Sequence, residues 1–211
     1  KKQKMNIKKM NINGQNELKI TVVGLGYVGL PLALALAQKF SVIGYDADPK
    51  RISELMANYD RTGEVSAAKL ANTPIKFVSE LSNPPSCDLF IVAVPTPIDE
   101  KNKPNLYALE KASREVGGCL SRGSVVVYES TVFPGATEDI CGPILETASG
   151  LACGEDFYLG YSPERINPGD KDHAIDSVIK VIAGQTQEVT KLLASVYGTV
   201  IPSGIYAAPN I

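Results

Sequence analysis

Short runs of β-branched and apolar residues alternate with longer stretches of helical periodicity from Leu18 onward, and this alternation leaves few folds open. Residues 18–23, 41–45, 75–78, 88–94, 124–128, 157–161 and 178–183 read as strands. Residues 28–39, 49–58, 106–120 and 136–148 read as helices, with Pro143 expected to kink the last or end it early. Asp48, just before Pro49, suits an N-cap. A final helix is expected to begin at the cap Thr186, to bury Val189, Leu192, Leu193 and Val196 on one face, and to close at Gly198. Strands alternating with helices predict a mainly parallel α/β sheet with helices on both faces. In its doubly wound form such a sheet holds ligands outside the C-terminal ends of its strands.

A chain of 211 residues, 44% hydrophobic and 21% charged, can bury a core without disulfides or metal. Its net charge of −2 supplies no basic field for nucleic acid or anionic lipid. The longest clean apolar stretch, residues 30–37, is too short to cross a bilayer. Neither nucleic acid nor membrane is therefore an expected partner. Residues 1–17, with Lys1, Lys2, Lys4, Lys8 and Lys9 but no apolar core, read as a polar tail rather than a secretory signal, which leaves 18–211 as one domain. Cys87, Cys119, Cys141 and Cys153 form no C-x-x-C pair, so they point to reduced structural thiols rather than a metal or redox site, and to a cytoplasmic location. His173, the only histidine, lies in a charged loop and reads as a surface residue.

Gly24-Leu25-Gly26-Tyr27-Val28-Gly29 follows the first strand and opens the first helix. In a G-x-G-x-x-G run so placed, Gly24 permits the tight turn, Gly26 lets a pyrophosphate approach the backbone, and Gly29 lets helix and strand pack closely. Asp46 ends the second strand about 20 residues beyond Gly26, where a carboxylate accepts from both adenosine ribose hydroxyls and repels a 2′-phosphate. The fold expected is thus Rossmann-type, and the cofactor NAD rather than NADP.

Three further strand exits converge on the same edge. The fourth strand leaves through Val94-Pro95-Thr96-Pro97, whose prolines leave the Thr96 hydroxyl as the usable polar group. The fifth presents Thr131, and the sixth presents Glu164 and Arg165. Hydroxyls, a carboxylate and a guanidinium beside a nicotinamide suit hydride transfer.

The segments GLGYVGLPLA (24–33), VPTPIDE (94–100), YESTVFPGAT (128–137) and YSPERINPGD (161–170) together resemble the UDP-glucose/GDP-mannose dehydrogenases. The form of the last segment is similar to the branch acting on UDP-N-acetylhexosamines. The resemblance implies oxidation of a UDP-sugar C6 alcohol to the carboxylate with two NAD, through a cysteine that takes the aldehyde as a thiohemiacetal. It implies that Tyr27 and Val28 belong to the pyrophosphate loop, that Asp46 and Arg51 flank the adenosine ribose, and that Thr96 and Thr131 contact the nicotinamide side. Glu164 would help with proton transfer or water handling, and Arg165 and Ile166 would touch the sugar nucleotide.

The family's nucleophilic cysteine lies in a G-G-x-C motif, and none of the four cysteines here has that context. The sequence also lacks the family's UDP-binding C-terminal domain and the helix through which a homodimer would form. The expectation is therefore a cofactor-binding half that binds NAD without turning over. The alternatives are a stand-alone NAD-binding or regulatory module, in which Thr131, Glu164 and Arg165 would be idle, and a β-hydroxyacid dehydrogenase, against which the VPTP and SPER segments argue.

Overall fold

The structure, a computed structural model, describes residues 18–81, 87–98, 100–164 and 178–211. Among these residues eight strands form one sheet: β1 (Lys19–Val23), β2 (Ser41–Tyr45), β3 (Ile75–Val78), β4 (Leu89–Val92), β5 (Val125–Tyr128), β6 (Tyr158–Tyr161), β7 (Lys180–Gly184) and β8 (Ile205–Ala207). Their order is β3-β2-β1-β4-β5-β6-β7-β8. The first six strands in chain order are mutually parallel, β7 runs antiparallel to β6, and β8 is parallel to β7. The order 3-2-1-4-5-6 is that of the two-halved dinucleotide-binding sheet, with its switch point between β1 and β4.

Among the described residues six α-helices pack with the sheet: α1 (Gly29–Ala37), α2 (Pro49–Met56), α3 (Ala67–Ala71), α4 (Tyr107–Gly117), α5 (Gly142–Ser149) and α6 (Gln187–Gly198). The core divides into two clusters. One joins Leu30, Leu34, Ile52, Leu70 and Leu193 to Ile20, Val22, Leu89 and Val125; the other joins Leu109, Val116 and Leu145 to Val23, Phe90, Val126 and Leu159. Strands β4 and β5 are buried at every position because helices lie over both faces, which explains their unbroken apolar sequences Leu-Phe-Ile-Val and Val-Val-Val-Tyr. Among the described residues no helix is long and apolar enough to cross a membrane.

Most expected elements occur within two residues of their expected ends. Asp48 caps α2 by accepting from the Lys50 N–H, and Thr186 caps α6 by accepting from Val189. One expectation needs correcting. Residues 136–148 do not form one helix broken at Pro143. A π-helical turn (Ala136–Cys141) comes first and runs directly into α5, with Pro143 in the first turn of α5. Helix α6 closes at Gly198 as expected, and Thr199 follows it in right-handed geometry. Two short elements, α3 and β8, carry too little periodicity to have been anticipated. The tail 1–17 and His173 lie outside the described residues.

Candidate functional site

The C-terminal ends of β1, β2, β4, β5 and β6 open onto one crevice of about 400 Å³, within the size range of small-molecule sites. Gly24, Gly26, Tyr27, Val28, Asp46, Arg51, Thr96, Thr131 and Glu164 all line it. Arg165 and Ile166 lie outside the described residues.

The glycine turn divides its labour between space and conformation. Gly24 has φ +91°, and a Cβ there would meet the Ala93 carbonyl oxygen at 2.8 Å. Gly29 does not line the crevice; it packs behind it, where a Cβ would lie 1.9 Å from the Gly24 carbonyl oxygen. A Cβ on Gly26 would meet nothing within 4 Å, so the backbone there borders open space. No side chain caps the start of α1 at Val28, so the first-turn N–H groups lack a side-chain acceptor.

Asp46 is tied to the turn. One carboxylate oxygen accepts from the Leu25 N–H at 2.9 Å and the other from the Asp48 N–H at 2.9 Å. Arg51 is 4% exposed. Its Nε donates to the Leu25 carbonyl at 2.9 Å, and its Nη2 pairs with Asp60 at 2.7 Å. Nη1 is buried with no hydrogen-bond partner, which is costly for a charged donor unless a ligand completes it. Asp60 also accepts from the N–H groups of Thr62, Glu64 and Val65. Burial pushes the Asp60 pKa up, but the Arg51 guanidinium and the Thr62 and Val65 donors outweigh it and hold the group below the ordinary aspartate range. Arg61 and Thr62 complete the wall at this end, with Arg61 bridging Asp48 and Glu54.

At the other end the exits of β4 and β5 are stitched together by side chains. The Thr96 hydroxyl donates to the Thr131 carbonyl at 2.6 Å, and the Ser130 hydroxyl to the Val94 carbonyl at 2.6 Å. Glu164 meets the ammonium of Lys180 at 3.2 Å. Glu129, also lining the crevice, meets the same ammonium at 2.9 Å. Glu129 and Lys180 were not anticipated. Their signal in the sequence is a charged residue set against an apolar strand, Glu129 directly after Val-Val-Val-Tyr and Lys180 within Val-Ile-Lys-Val-Ile-Ala. Asp60 gave no comparable signal.

The four cysteines are free, and none lines the crevice. Burial pushes the Cys87 thiol up to about 12 and raises those of Cys119, Cys141 and Cys153. Nucleophilic thiols are lowered instead. No group of three or more potential metal-ligating side chains occurs among the described residues.

A glycine turn, an acidic second-strand end and an uncapped helix start over the switch point of a doubly wound sheet define a dinucleotide-binding domain. The chain belongs to the UDP-glucose/GDP-mannose dehydrogenase family, whose NAD-binding domain matches residues 18–201. It is 54% identical to Protein CapL of Staphylococcus aureus over 192 residues, covering 91% of this chain and 45% of that protein. It is 50% identical to the UDP-N-acetyl-D-glucosamine 6-dehydrogenase of Pseudomonas aeruginosa, covering 92% of this chain and 46% of that one. The solved structure of the UDP-D-ManNAc dehydrogenase from Pyrococcus horikoshii superposes with a TM-score of 0.82 at 30% identity, covering 92% of this chain and 47% of that chain. The chain thus spans about half the length of the curated relatives it matches. NAD is the cofactor of this domain, and the open approach at Gly26 and the unpartnered Arg51 Nη1 fit it.

Proposed function

We propose that residues 18–211 are the cofactor domain of a UDP-N-acetylhexosamine 6-dehydrogenase, which oxidises the sugar's C6 alcohol to the carboxylate. The observation that carries this reading is the meeting of the glycine turn, Asp46, Thr96, Thr131 and Glu164 along one crevice. The identity to relatives named as UDP-N-acetylhexosamine dehydrogenases supports the substrate class.

In this reading the first-turn N–H groups of α1, with Tyr27 and Val28, receive the pyrophosphate. Asp46, already oriented by the Leu25 and Asp48 N–H groups, accepts from the ribose hydroxyls. Arg51 Nη1 gains its missing acceptor at the same ribose. NAD supplies the hydride acceptor, and Thr96 and Thr131 orient its nicotinamide side. Glu164 takes or places the proton of the reacting hydroxyl or water. Arg165 and Ile166 contact the sugar nucleotide. The nucleophilic cysteine, the remaining UDP contacts and the homodimer interface are assigned to the other half of the protein. A cytoplasmic setting suits the four free thiols.

Asp46→Ala tests the cofactor end. A charge-assisted hydrogen bond contributes about 1.5–3 kcal/mol, so NAD affinity is expected to fall roughly 10- to 100-fold by calorimetry. Preference over NADP should shrink with it, because the repelling carboxylate is gone. Unchanged NAD affinity would remove Asp46 from the site. For the activity, the full-length protein with NAD and a UDP-N-acetylhexosamine should accumulate NADH, and none should form with a UDP-sugar lacking the C6 hydroxyl.

A further inference from the structure

Lys180 opens β7 inside an apolar run, yet it is a charged side chain only 7% exposed. Its ammonium bridges two carboxylates, Glu129 at 2.9 Å and Glu164 at 3.2 Å. The second oxygen of Glu129 accepts from the fully buried Tyr197 hydroxyl, and the Tyr197 ring centroid lies 5.7 Å from the ammonium. The antiparallel register pairs Gly160 with Gly184 and Tyr161 with Ala183; continued outward, it sets Glu164 opposite Lys180. The Ser162 hydroxyl, donating to the Val181 carbonyl at 2.8 Å, fastens the same two strands between those points.

A buried ion pair is weak support for stability, since apolar residues of like volume often do as well. What this cluster does supply is direction. Charge-assisted hydrogen bonds are short and oriented, and both glutamates are lining residues of the crevice. Burial would lower the Lys180 pKa, but Glu129 and Glu164 outweigh it and raise it, so the ammonium persists at neutral pH.

We propose that Lys180 is a positioning residue: aimed by Glu129 and Tyr197, its ammonium fixes the Glu164 carboxylate where the sugar oxidation needs it. This rests on the role given above to Glu164. The test is a double-mutant cycle in the full-length protein, with Glu164→Gln on one side and the paired change Lys180→Met with Glu129→Gln on the other. The paired change removes both buried charges at once and leaves Tyr197 an amide oxygen to donate to.

Glu164→Gln should lower kcat by about 100-fold or more. The paired change should lower kcat by about 10- to 100-fold while NAD affinity and the sugar KM stay within about twofold. Added to Glu164→Gln, it should cost almost nothing more, because there is no carboxylate left to aim. A merely structural role would lower kcat equally in both backgrounds, and that additivity, or a paired variant as fast as the parent, overturns the proposal. If Glu164→Gln turns over normally, the role of Glu164 itself is wrong and the proposal falls with it. Should the paired variant fail to fold, Tyr197→Phe removes one hydroxyl and is read against the same two criteria.

Discussion

Arg51→Met is expected to melt about 6–20 °C below the parent, with loss of NAD binding at temperatures where the parent still binds. The side chain holds three things together: the Leu25 carbonyl in the glycine turn, Asp60 beyond α2, and the crevice wall. Removing one partner of a buried ion pair costs about 3–5 kcal/mol, and a domain of this size loses roughly 2–4 °C per kcal/mol. Asp60 keeps its backbone donors, so adding Asp60→Asn should restore part of the loss. A melting point within about 2 °C of the parent would contradict the ion pair's importance.

The same pair sets an acid limit. The folded-state pKa of Asp60 is depressed, so its contribution is fully present well above the unfolded value of about 3.9. It is lost as pH falls through the lower folded value. Melting curves should therefore steepen in their pH dependence below about pH 4, and Asp60→Asn should flatten that limb while lowering stability at neutral pH.

The second large effect is expected from Gly29→Ala. A Cβ 1.9 Å from the Gly24 carbonyl oxygen cannot be absorbed by turning a side chain, because the obstacle is backbone. Helix α1 must lift from β1, against a core in which Leu30, Leu32, Leu34 and Leu36 are fully buried. Overpacking a tight core costs about 1–3 kcal/mol and sometimes more; with a backbone obstacle we expect the upper end, about 6–12 °C in melting temperature. NAD affinity should fall as well, since the first-turn N–H groups move with the helix. Gly26→Ala is the contrast: its Cβ meets nothing within the protein, so stability should hold and only cofactor binding should suffer. Equal melting points for Gly29→Ala and Gly26→Ala would refute this division.

The parts of this molecule that were legible in the sequence are those governed by local pattern. Buried parallel strands are unbroken apolar runs, and the bounds of β2 and β3 could be read directly. The glycine turn and Asp46 carried their spacing with them. Direction and partnership were harder. Nothing local in Val-Ile-Lys-Val-Ile-Ala-Gly says that β7 runs against β6, and only that reversal brings Lys180 to Glu164. Arg51 could be linked to the crevice by resemblance, but its ion pair with Asp60 depends on how the segment after α2 folds back. The π-helical turn before α5 escaped notice because its residues also suit an ordinary helix. Helix α3 has five residues and β8 three, too few to establish a period.

The two hydroxyl stitches between the exits of β4 and β5 bear on how this wall is probed. They extend pairing past the point where prolines halt the backbone ladder, so side chains rather than backbone tie the two exits together there. Thr96→Val would therefore cut a seam as well as delete a contact, and its weaker binding could not be ascribed to the ligand alone. Thr96→Ser keeps the seam and removes only a methyl group, which makes it the proper reference for every substitution along this edge.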